Sequence, residues 1–181
     1  MSFELAFLNF LQSLHSPLLN QMMIFFTNLG NQGFIWVCLT LILLIIPKTR
    51  KIGSVLLIAL IIDTFICNLC LKNIFMRPRP CVVNPSIQLL IHRPTDYSFP
   101  SGHTAASFAI VSALYLLNQK KLFGISLIFA CLISFSRMYL YVHYPSDILG
   151  GILVGIICGI IAYYLCELLF SYIKDKGLLS R

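Results

Sequence analysis

Residues 52–80 read IGSVLLIALIIDTFICNLCLKNIFMRPRP and show how the chain is organised. The first 20 of these residues contain a single charged side chain, Asp63. A helix of about 20 apolar residues is long enough to cross the hydrocarbon of a bilayer. The run then ends in Lys72, Arg77 and Arg79, beside prolines that stop a helix. This stretch therefore predicts a membrane-spanning helix whose end carries a cluster of cations.

The composition extends this pattern to the whole chain. Hydrophobic residues make up 59% and charged residues 10%, and the mean hydropathy is +0.89. Apolar runs recur from end to end, which predicts one integral membrane domain over residues 1–181, an all-α polytopic helical bundle. In a soluble protein the net charge of +7 would suggest nucleic acid. Here the cations follow apolar segments, so we expect no nucleic-acid partner.

About six membrane-spanning segments are predicted. They cover approximately residues 3–29, 34–46, 52–75, 101–117, 122–141 and 146–172. The first is interrupted at Ser16 and Pro17, so its first part can lie in the membrane interface instead of crossing. The second has a core of only 13 residues and crosses only if residues 28–33 also enter the bilayer.

The basic residues predict the orientation of the bundle. Eight of the 13 fall on one side, which the positive-inside rule makes cytoplasmic: Lys48, Arg50, Lys51, Lys120, Lys121, Lys174, Lys176 and Arg181. The other five lie on the opposite side: Lys72, Arg77, Arg79, Arg93 and Arg137. With six spans, both termini are expected to be cytoplasmic in the plasma membrane. A site for an anionic substrate on the outer face, beneath a lid formed by residues 80–100, explains the five outer cations.

The motif Pro100-Ser101-Gly102-His103 predicts the start of a helix. Ser101 is a favourable N-cap, and a helix N-terminus presents free N–H groups that bind anions. Gly102 allows the backbone to approach a phosphate closely, and His103 in the first turn points at the same place. Alone, the motif also fits an ordinary capped helix.

Lys72 and Arg79 stand seven positions apart at the end of the third segment. Arginine binds phosphate oxygens through two parallel hydrogen bonds, and lysine acts as a point charge. The same stretch also suits an anchor for lipid headgroups, and Arg77 fits that interpretation better than Arg79.

A third block contains Arg137, His143 and Asp147. An unpaired Arg137 near the bilayer is costly, so it should face a polar cavity. An aspartate that accepts a hydrogen bond from one imidazole nitrogen leaves the other nitrogen free as a nucleophile. The residues alone leave open whether His143 or His103 attacks, although Asp147 favours His143. Separately, these residues also fit a snorkelling arginine, an interfacial histidine and a helix-capping aspartate.

The three blocks read K-x6-R-P, P-S-G-H and S-R-x5-H-x3-D, and residues 72–147 supply every fixed position. In this the chain resembles the type-2 phosphatidic acid phosphatase superfamily, membrane lipid phosphatases related to vanadium haloperoxidases. The resemblance implies a haloperoxidase-like helical core and a metal-independent phosphoric monoester or diphosphate hydrolase. It implies no cofactor and no bound metal.

The resemblance also implies a role for each residue of the blocks. His143 attacks phosphorus to give a phosphohistidine, Asp147 orients His143, and His103 protonates the leaving oxygen. The phosphate oxygens are bound by Lys72, Arg79, Arg137 and the backbone amides of Ser101 and Gly102.

Within this resemblance, undecaprenyl diphosphate is the first choice of substrate, recycled on the outer leaflet for cell-wall synthesis. Phosphatidylglycerophosphate or phosphatidate is the alternative. A protein of another class, a non-catalytic lipid-phosphate binding or transport protein, needs the cations but not two histidines and an orienting aspartate. The expected partners are the lipid substrate and the bilayer, and the chain is expected to be a monomer or a homodimer.

Other polar and small residues have structural interpretations. Gly151, Gly155 and Gly159 form a stripe that predicts close helix packing within the chain, or alternatively a dimer face. Asp63 inside the third segment is expected to be a packing residue. Asp96 is expected to belong to a solvated outer loop.

Overall fold

The computed structural model describes residues 3–176, and all the regular secondary structure in this range is helical. Met1, Ser2 and residues 177–181 lie outside the described residues, and with them Arg181 of the orientation argument. The described helices are α1 (Phe3–Ser13), α2 (Pro17–Gly30), α3 (Phe34–Ile45), α4 (Arg50–Asp63), α5 (Lys72–Phe75), α6 (Pro80–Val83), α7 (Gly102–Leu116), α8 (Lys120–Tyr139) and α9 (Pro145–Asp175). The predicted all-α class is confirmed.

Four helical stretches within the described range are long and apolar enough to cross a membrane. They are Pro17–Ile45, Pro47–Val83, Lys120–Tyr139 and Pro145–Asp175, and α7 is a shorter apolar helix. The protein is therefore a multi-pass membrane protein. The structure does not give the six predicted spans, because α2 and α3 form one bent stretch and α1 is separate from it.

The bend between α2 and α3 covers Asn31–Gly33. Gln32 and Gly33 have φ angles of 51° and 68°, in the left-handed region where glycine carries no steric cost. The polar sequence here suggested a loop between two segments. It is instead a bend inside one membrane-spanning stretch, and it lines the cavity described below.

A π-helical stretch, Thr64–Leu71, joins α4 to α5. In an α-helix of about 3.6 residues per turn, Lys72 would lie about 180° round the axis from Asp63. A π-helix has about 4.4 residues per turn, so the same nine positions make about two full turns. The two side chains therefore lie on one face, and both line the same cavity.

Helices α7 and α9 pack closely along the glycine stripe. A Cβ atom on Gly155 would lie 2.3 Å from the Ala105 carbonyl oxygen, and one on Gly159 would lie 2.0 Å from the Ser112 hydroxyl. Small residues permit such an approach between helices in lipid. The prediction that the stripe packs within the chain is confirmed.

Helix α1, with 11 residues, is too short to cross a bilayer and lies where α8 ends and α9 begins. Gln12 donates a hydrogen bond to the Tyr139 carbonyl oxygen at 2.9 Å, and Glu4 accepts one from the Ser146 N–H at 3.0 Å. Asp175, the last residue of α9, lies at the opposite end of the bundle. The prediction that both termini share one side is therefore wrong for the described part of the chain.

Candidate active site

One cavity of about 810 Å³ is lined by polar residues from the ends of several helices. It lies where α8 ends and where α6, α7 and α9 begin. Six of the eight predicted site residues line it: Lys72, Arg79, Gly102, His103, Arg137 and His143. The other two, Ser101 and Asp147, are fully buried.

His143 follows a tight turn after α8, in which Tyr141 has a left-handed φ of 60°. The Nε2 atom of His143 lies 3.0 Å from Arg79 Nη1, and its Nδ1 atom lies 3.4 Å from Asp147 Oδ2. Because a guanidinium group only donates, Nε2 must be the accepting nitrogen. The imidazole proton therefore lies on Nδ1, facing Asp147.

The surroundings of His143 keep its imidazole neutral. Burial and then the charges of Arg79 and Arg137 hold the pKa of His143 well below its ordinary value. A neutral imidazole with its proton on Nδ1 keeps a lone pair on Nε2. Nε2 is therefore the nitrogen able to attack a substrate in the cavity.

Asp147 has more partners than the sequence suggested. Its Oδ2 atom accepts hydrogen bonds from the Ser98 hydroxyl and from the Tyr144 N–H, the latter at 2.8 Å. Its Oδ1 atom accepts one from Arg77 Nη1 at 2.6 Å. The interpretation of Arg77 as a lipid anchor is therefore wrong, because the chain after α5 turns Arg77 onto the start of α9.

Glu4 of α1 binds the second terminal nitrogen of the Arg77 guanidinium group, Nη2. Its Oε2 atom lies 2.7 Å from Arg77 Nη2, and its Oε1 atom accepts hydrogen bonds from the N–H and the hydroxyl of Ser146. Burial alone would raise the pKa of Glu4, but the hydrogen bonds from Ser146 and Arg77 outweigh it and lower the pKa. Helix α1 is thus tied to the start of α9 beside Asp147.

Lys72 and Arg79 share one carboxylate. Asp96 Oδ2 pairs with Lys72 Nζ, and Asp96 Oδ1 lies 2.7 Å from Arg79 Nη2. Burial would raise the pKa of Asp96, but the hydrogen bond from Lys72 and the charge of Arg79 hold it below its ordinary value. Asp96 was expected in a solvated loop, whereas the structure places its carboxylate in the cavity wall.

Arg137 is buried at the end of α8, with 3% of its surface exposed. Its Nη1 group donates to the hydroxyl of Thr27 on α2. Its Nε atom is buried without a hydrogen-bond partner in the described part of the chain. A buried donor of this kind is costly unless an acceptor from elsewhere reaches it, and a phosphate oxygen in the cavity is such an acceptor.

His103 faces the bend between α2 and α3. Its Nε2 atom lies 2.9 Å from Asn31 Oδ1, and the Asn31 amide nitrogen donates to Asn28 Oδ1 at 3.1 Å. The second contact turns the oxygen of Asn31 towards the histidine. Nε2 of His103 therefore carries a proton, as a donor to a leaving group requires.

Ser101 and Gly102 differ at the start of α7. The N–H of Ser101 donates to the Asp147 carbonyl oxygen at 3.0 Å, so it is not available to a phosphate as predicted. Gly102 lines the cavity as the first residue of α7, where an N–H has no partner within the helix. A Cβ atom on Gly102 would lie 2.7 Å from Asn68 Oδ1, so a larger residue here would have to displace the Asn68 side chain.

Asp63 also lines the cavity, on the membrane side of Lys72. It is 1% exposed, and its Oδ1 atom has no hydrogen-bond partner among the described residues. No group of three or more His, Cys, Asp and Glu side chains is placed to ligate a metal ion within residues 3–176. Metal independence remains a prediction.

The contacts made by Glu4, Thr27, Asn31, Arg77 and Asp96 were missed from the sequence. In each of these contacts, at least one partner is a residue that the three motifs leave variable or do not cover. One available signal was the presence of acidic side chains in an otherwise apolar chain: there are only 6 Asp and Glu residues.

Comparison with known proteins finds one family model over most of the chain. The family model described as PAP2 superfamily matches residues 52–170. The "Undecaprenyl-diphosphatase" of Sulfolobus acidocaldarius is 38% identical over 138 residues, which are 76% of this chain and 66% of that protein. The chain thus spans about two thirds of this relative's length.

Two solved structures resemble the whole bundle. The crystal structure of Aquifex aeolicus LpxE has a TM-score of 0.76 and 33% identity, and covers 90% of this chain and 95% of its own. The transmembrane PAP2-type phosphatidylglycerolphosphate phosphatase from Bacillus subtilis has a TM-score of 0.73 and 26% identity, over 94% of this chain and 85% of its own.

Proposed function

Because this chain belongs to the PAP2 superfamily, we propose that it is a membrane lipid phosphatase that removes the terminal phosphate of a lipid phosphate or diphosphate. The observation that carries this proposal is the position of His143. His143 lines the cavity, the lone pair of its Nε2 atom accepts a hydrogen bond from Arg79 Nη1 at 3.0 Å, and Nδ1 is directed at Asp147. Binding alone requires neither a nucleophile nor a group that orients it.

The proposed reaction has two steps. First, His143 Nε2 exchanges its hydrogen bond from Arg79 for attack on phosphorus. The N–P bond forms and the P–O bond to the lipid breaks, while His103 in its imidazolium form gives a proton to the departing oxygen. Second, water attacks the phosphohistidine; the N–P bond breaks, and His103 takes the proton from the water. Inorganic phosphate leaves, and both histidines return to their starting forms.

The cavity supplies the charges that this reaction needs. Lys72, Arg79 and Arg137 would bind the phosphate oxygens and stabilise the charge on them in the transition state. The Gly102 N–H at the start of α7 adds a backbone donor. Asp147 would orient His143, and the imidazolium that forms on attack would be stabilised by its carboxylate.

We propose undecaprenyl diphosphate as the preferred substrate, because a relative named undecaprenyl-diphosphatase is 38% identical to this chain over 138 residues. The cavity has apolar walls at Ile24, Val37 and Leu60, which suit the start of a long hydrocarbon chain. Phosphatidylglycerophosphate is the second candidate, favoured by the resemblance to the Bacillus subtilis structure.

A substrate panel tests the function. The purified full-length chain is incubated in detergent micelles with undecaprenyl diphosphate, phosphatidylglycerophosphate and phosphatidate, and phosphate release is measured. We expect turnover that vanadate inhibits and that a chelator leaves unchanged. Tight binding of these lipids without phosphate release would support the alternative, a lipid-phosphate binding or transport protein.

We further propose that the site faces outward from the plasma membrane. In support, the described cations outside the cavity end cluster at the other end of the bundle, where α3 joins α4, where α8 begins and where α9 ends. Intact spheroplasts supplied with a membrane-impermeant phosphate ester should release phosphate to the medium. Release only after permeabilisation would reverse this orientation.

A further inference from the structure

Asp96 approaches the cavity from the chain between α6 and α7, and it is the exposed partner of two buried cations. Its side chain is 50% exposed, whereas those of Lys72 and Arg79 are 9% and 2% exposed. Each of its carboxylate oxygens pairs with a different cation. The carboxylate therefore bridges the two groups that the proposed function assigns to the substrate phosphate.

The hydrogen bonds of Arg79 show that a phosphate must compete for this residue. A guanidinium group has five N–H donors. The Arg79 group has five acceptors within reach: Asp96 O at 2.9 Å, Asp96 Oδ1 at 2.7 Å, Tyr97 O at 3.3 Å, Val142 O at 2.8 Å and His143 Nε2 at 3.0 Å. A phosphate oxygen binds Arg79 only if one of them withdraws. The Asp96 carboxylate is the acceptor on an exposed side chain, so it can withdraw without moving the backbone.

The outcome of this competition depends on the charge of the ligand. Electrostatic attraction to Lys72 and Arg79 increases with the charge of the anion that faces them. A phosphomonoester carries about two negative charges above its second pKa of about 6, and a terminal diphosphate also carries a doubly ionisable phosphate. A phosphodiester carries one, like the Asp96 carboxylate. The headgroups of ordinary membrane phospholipids are phosphodiesters, and they surround the protein in excess.

We propose that Asp96 is a specificity-determining residue that competes with ligands for Lys72 and Arg79. Dianionic phosphate groups displace its carboxylate, and monoanionic phosphodiester headgroups do not. The surrounding lipid is thereby kept from blocking the site. This inference rests on the proposed function, because it assumes that the two cations bind the substrate phosphate.

The test compares binding of two soluble anions to the full-length chain and to Asp96→Asn. Inorganic phosphate at about pH 8 serves as the dianion, and dimethyl phosphate serves as the monoanionic diester. Binding is measured as the increase in the midpoint of thermal unfolding. Asp175→Asn is the matched control, since it removes the same charge from an exposed residue at the other end of α9.

We expect Asp96→Asn to bind dimethyl phosphate at least about tenfold more tightly than the wild type, a change of about 1.4 kcal/mol. In mixed micelles, phosphatidylglycerol should inhibit phosphatidate hydrolysis by Asp96→Asn at a mole fraction that leaves the wild type and Asp175→Asn active. Equal or weaker binding of dimethyl phosphate by Asp96→Asn would overturn the proposal and make Asp96 a support for the two cations. If Asp96→Asn gains dimethyl phosphate binding as expected but the wild type hydrolyses no lipid, the proposed function alone would be refuted, because the binding comparison does not require turnover.

Discussion

Arg79 Nη1 lies 3.0 Å from His143 Nε2, so the cation that is proposed to bind phosphate also marks the nitrogen that is proposed to attack it. This contact fixes the proton on Nδ1, because arginine only donates. It also places the nucleophile beside the charge that develops on the phosphate oxygens. One arginine thereby sets both the tautomer of His143 and the place where phosphorus must bind.

The contact between Arg77 and Asp147 predicts a role for Arg77 in orienting the nucleophile. Replacing Arg77 with Gln removes a 2.6 Å charged hydrogen bond from the carboxylate behind His143. We expect kcat to fall by roughly 10 to 100-fold, which is about 1.4 to 2.7 kcal/mol. Loss of the cation should also favour protonated His143, so the acidic limb of the kcat/KM profile should shift to higher pH.

Arg93→Gln is the control for this variant, because Arg93 is an exposed cation of the same outer region. Its activity and pH profile should match those of the wild type. If Arg77→Gln retained full kcat with an unchanged acidic limb, the orienting role would be refuted.

Glu4 predicts a pH-dependent contribution of α1 to stability. The pKa of Glu4 lies below its unfolded value of 4.5, so the folded state gains stability above pH 4.5 and loses it as the pH falls through the folded pKa. Glu4→Gln should lower the free energy of unfolding by about 1 to 2 kcal/mol at neutral pH. The difference from the wild type should shrink as the pH falls below 4.5.

Thermal unfolding in detergent at a series of pH values measures this difference. Glu167→Gln is the matched control, because it breaks only the exposed ion pair with Lys51 and should have little effect. A Glu4→Gln deficit that stays constant down to the most acidic pH would show that the charge of Glu4 is not its source.

His103 is expected to matter most for substrates with poor leaving groups. An alkoxide needs a proton as it leaves, whereas nitrophenolate does not. His103→Asn should therefore lower kcat for phosphatidate by about 10² to 10⁴-fold and lower that for p-nitrophenyl phosphate much less. Equal losses on both substrates would mean that His103 does not act as the general acid.

The glycine stripe predicts a strong dependence of folding on residue size. Gly155→Leu forces a side chain into the backbone of α7, where even a Cβ atom would lie 2.3 Å from a carbonyl oxygen. We expect a loss of stability of at least about 1 to 3 kcal/mol, measured by thermal unfolding. Gly124→Leu is the control, since a Cβ there meets nothing within 4 Å. Similar stability of the two variants would contradict the close contact of α7 and α9.

The positions of the motif residues at helix ends could be predicted because each block is local. Pro100 to His103 begin a helix, Arg137 ends one, and Asp147 begins the next, so their positions follow from the helix boundaries. Once the helices are antiparallel neighbours, these ends meet without further information.

The contacts of Arg77 and Asp96 were not predictable in the same way. Glu4 and Ser146 are 142 positions apart, and their contact depends on α1 lying across the bundle end instead of crossing the membrane. Likewise, Asp96 reaches Lys72 only because the chain between α6 and α7 turns inward. Local sequence patterns do not indicate contacts between residues that are far apart in the chain.

The predicted count of six spans is not confirmed, for a related reason. Asn28 and Asn31 resemble a polar loop between two apolar segments, so α2 and α3 were separated. In the structure these amides face the cavity and bind each other and His103. Polar side chains inside a membrane-spanning stretch are acceptable where they line such a cavity. The same polar residues that suggested a break in the span belong to the site.

The most direct test of the account is the identity of the phosphorylated residue. The wild type, His143→Gln and His103→Asn are mixed with phosphatidate labelled with ³²P in its phosphate, quenched within milliseconds and separated from lipid. We predict protein-bound label in the wild type that survives alkali and is lost in acid, with no label on His143→Gln. Acid-stable label, or equal label on His143→Gln, would contradict attack by His143.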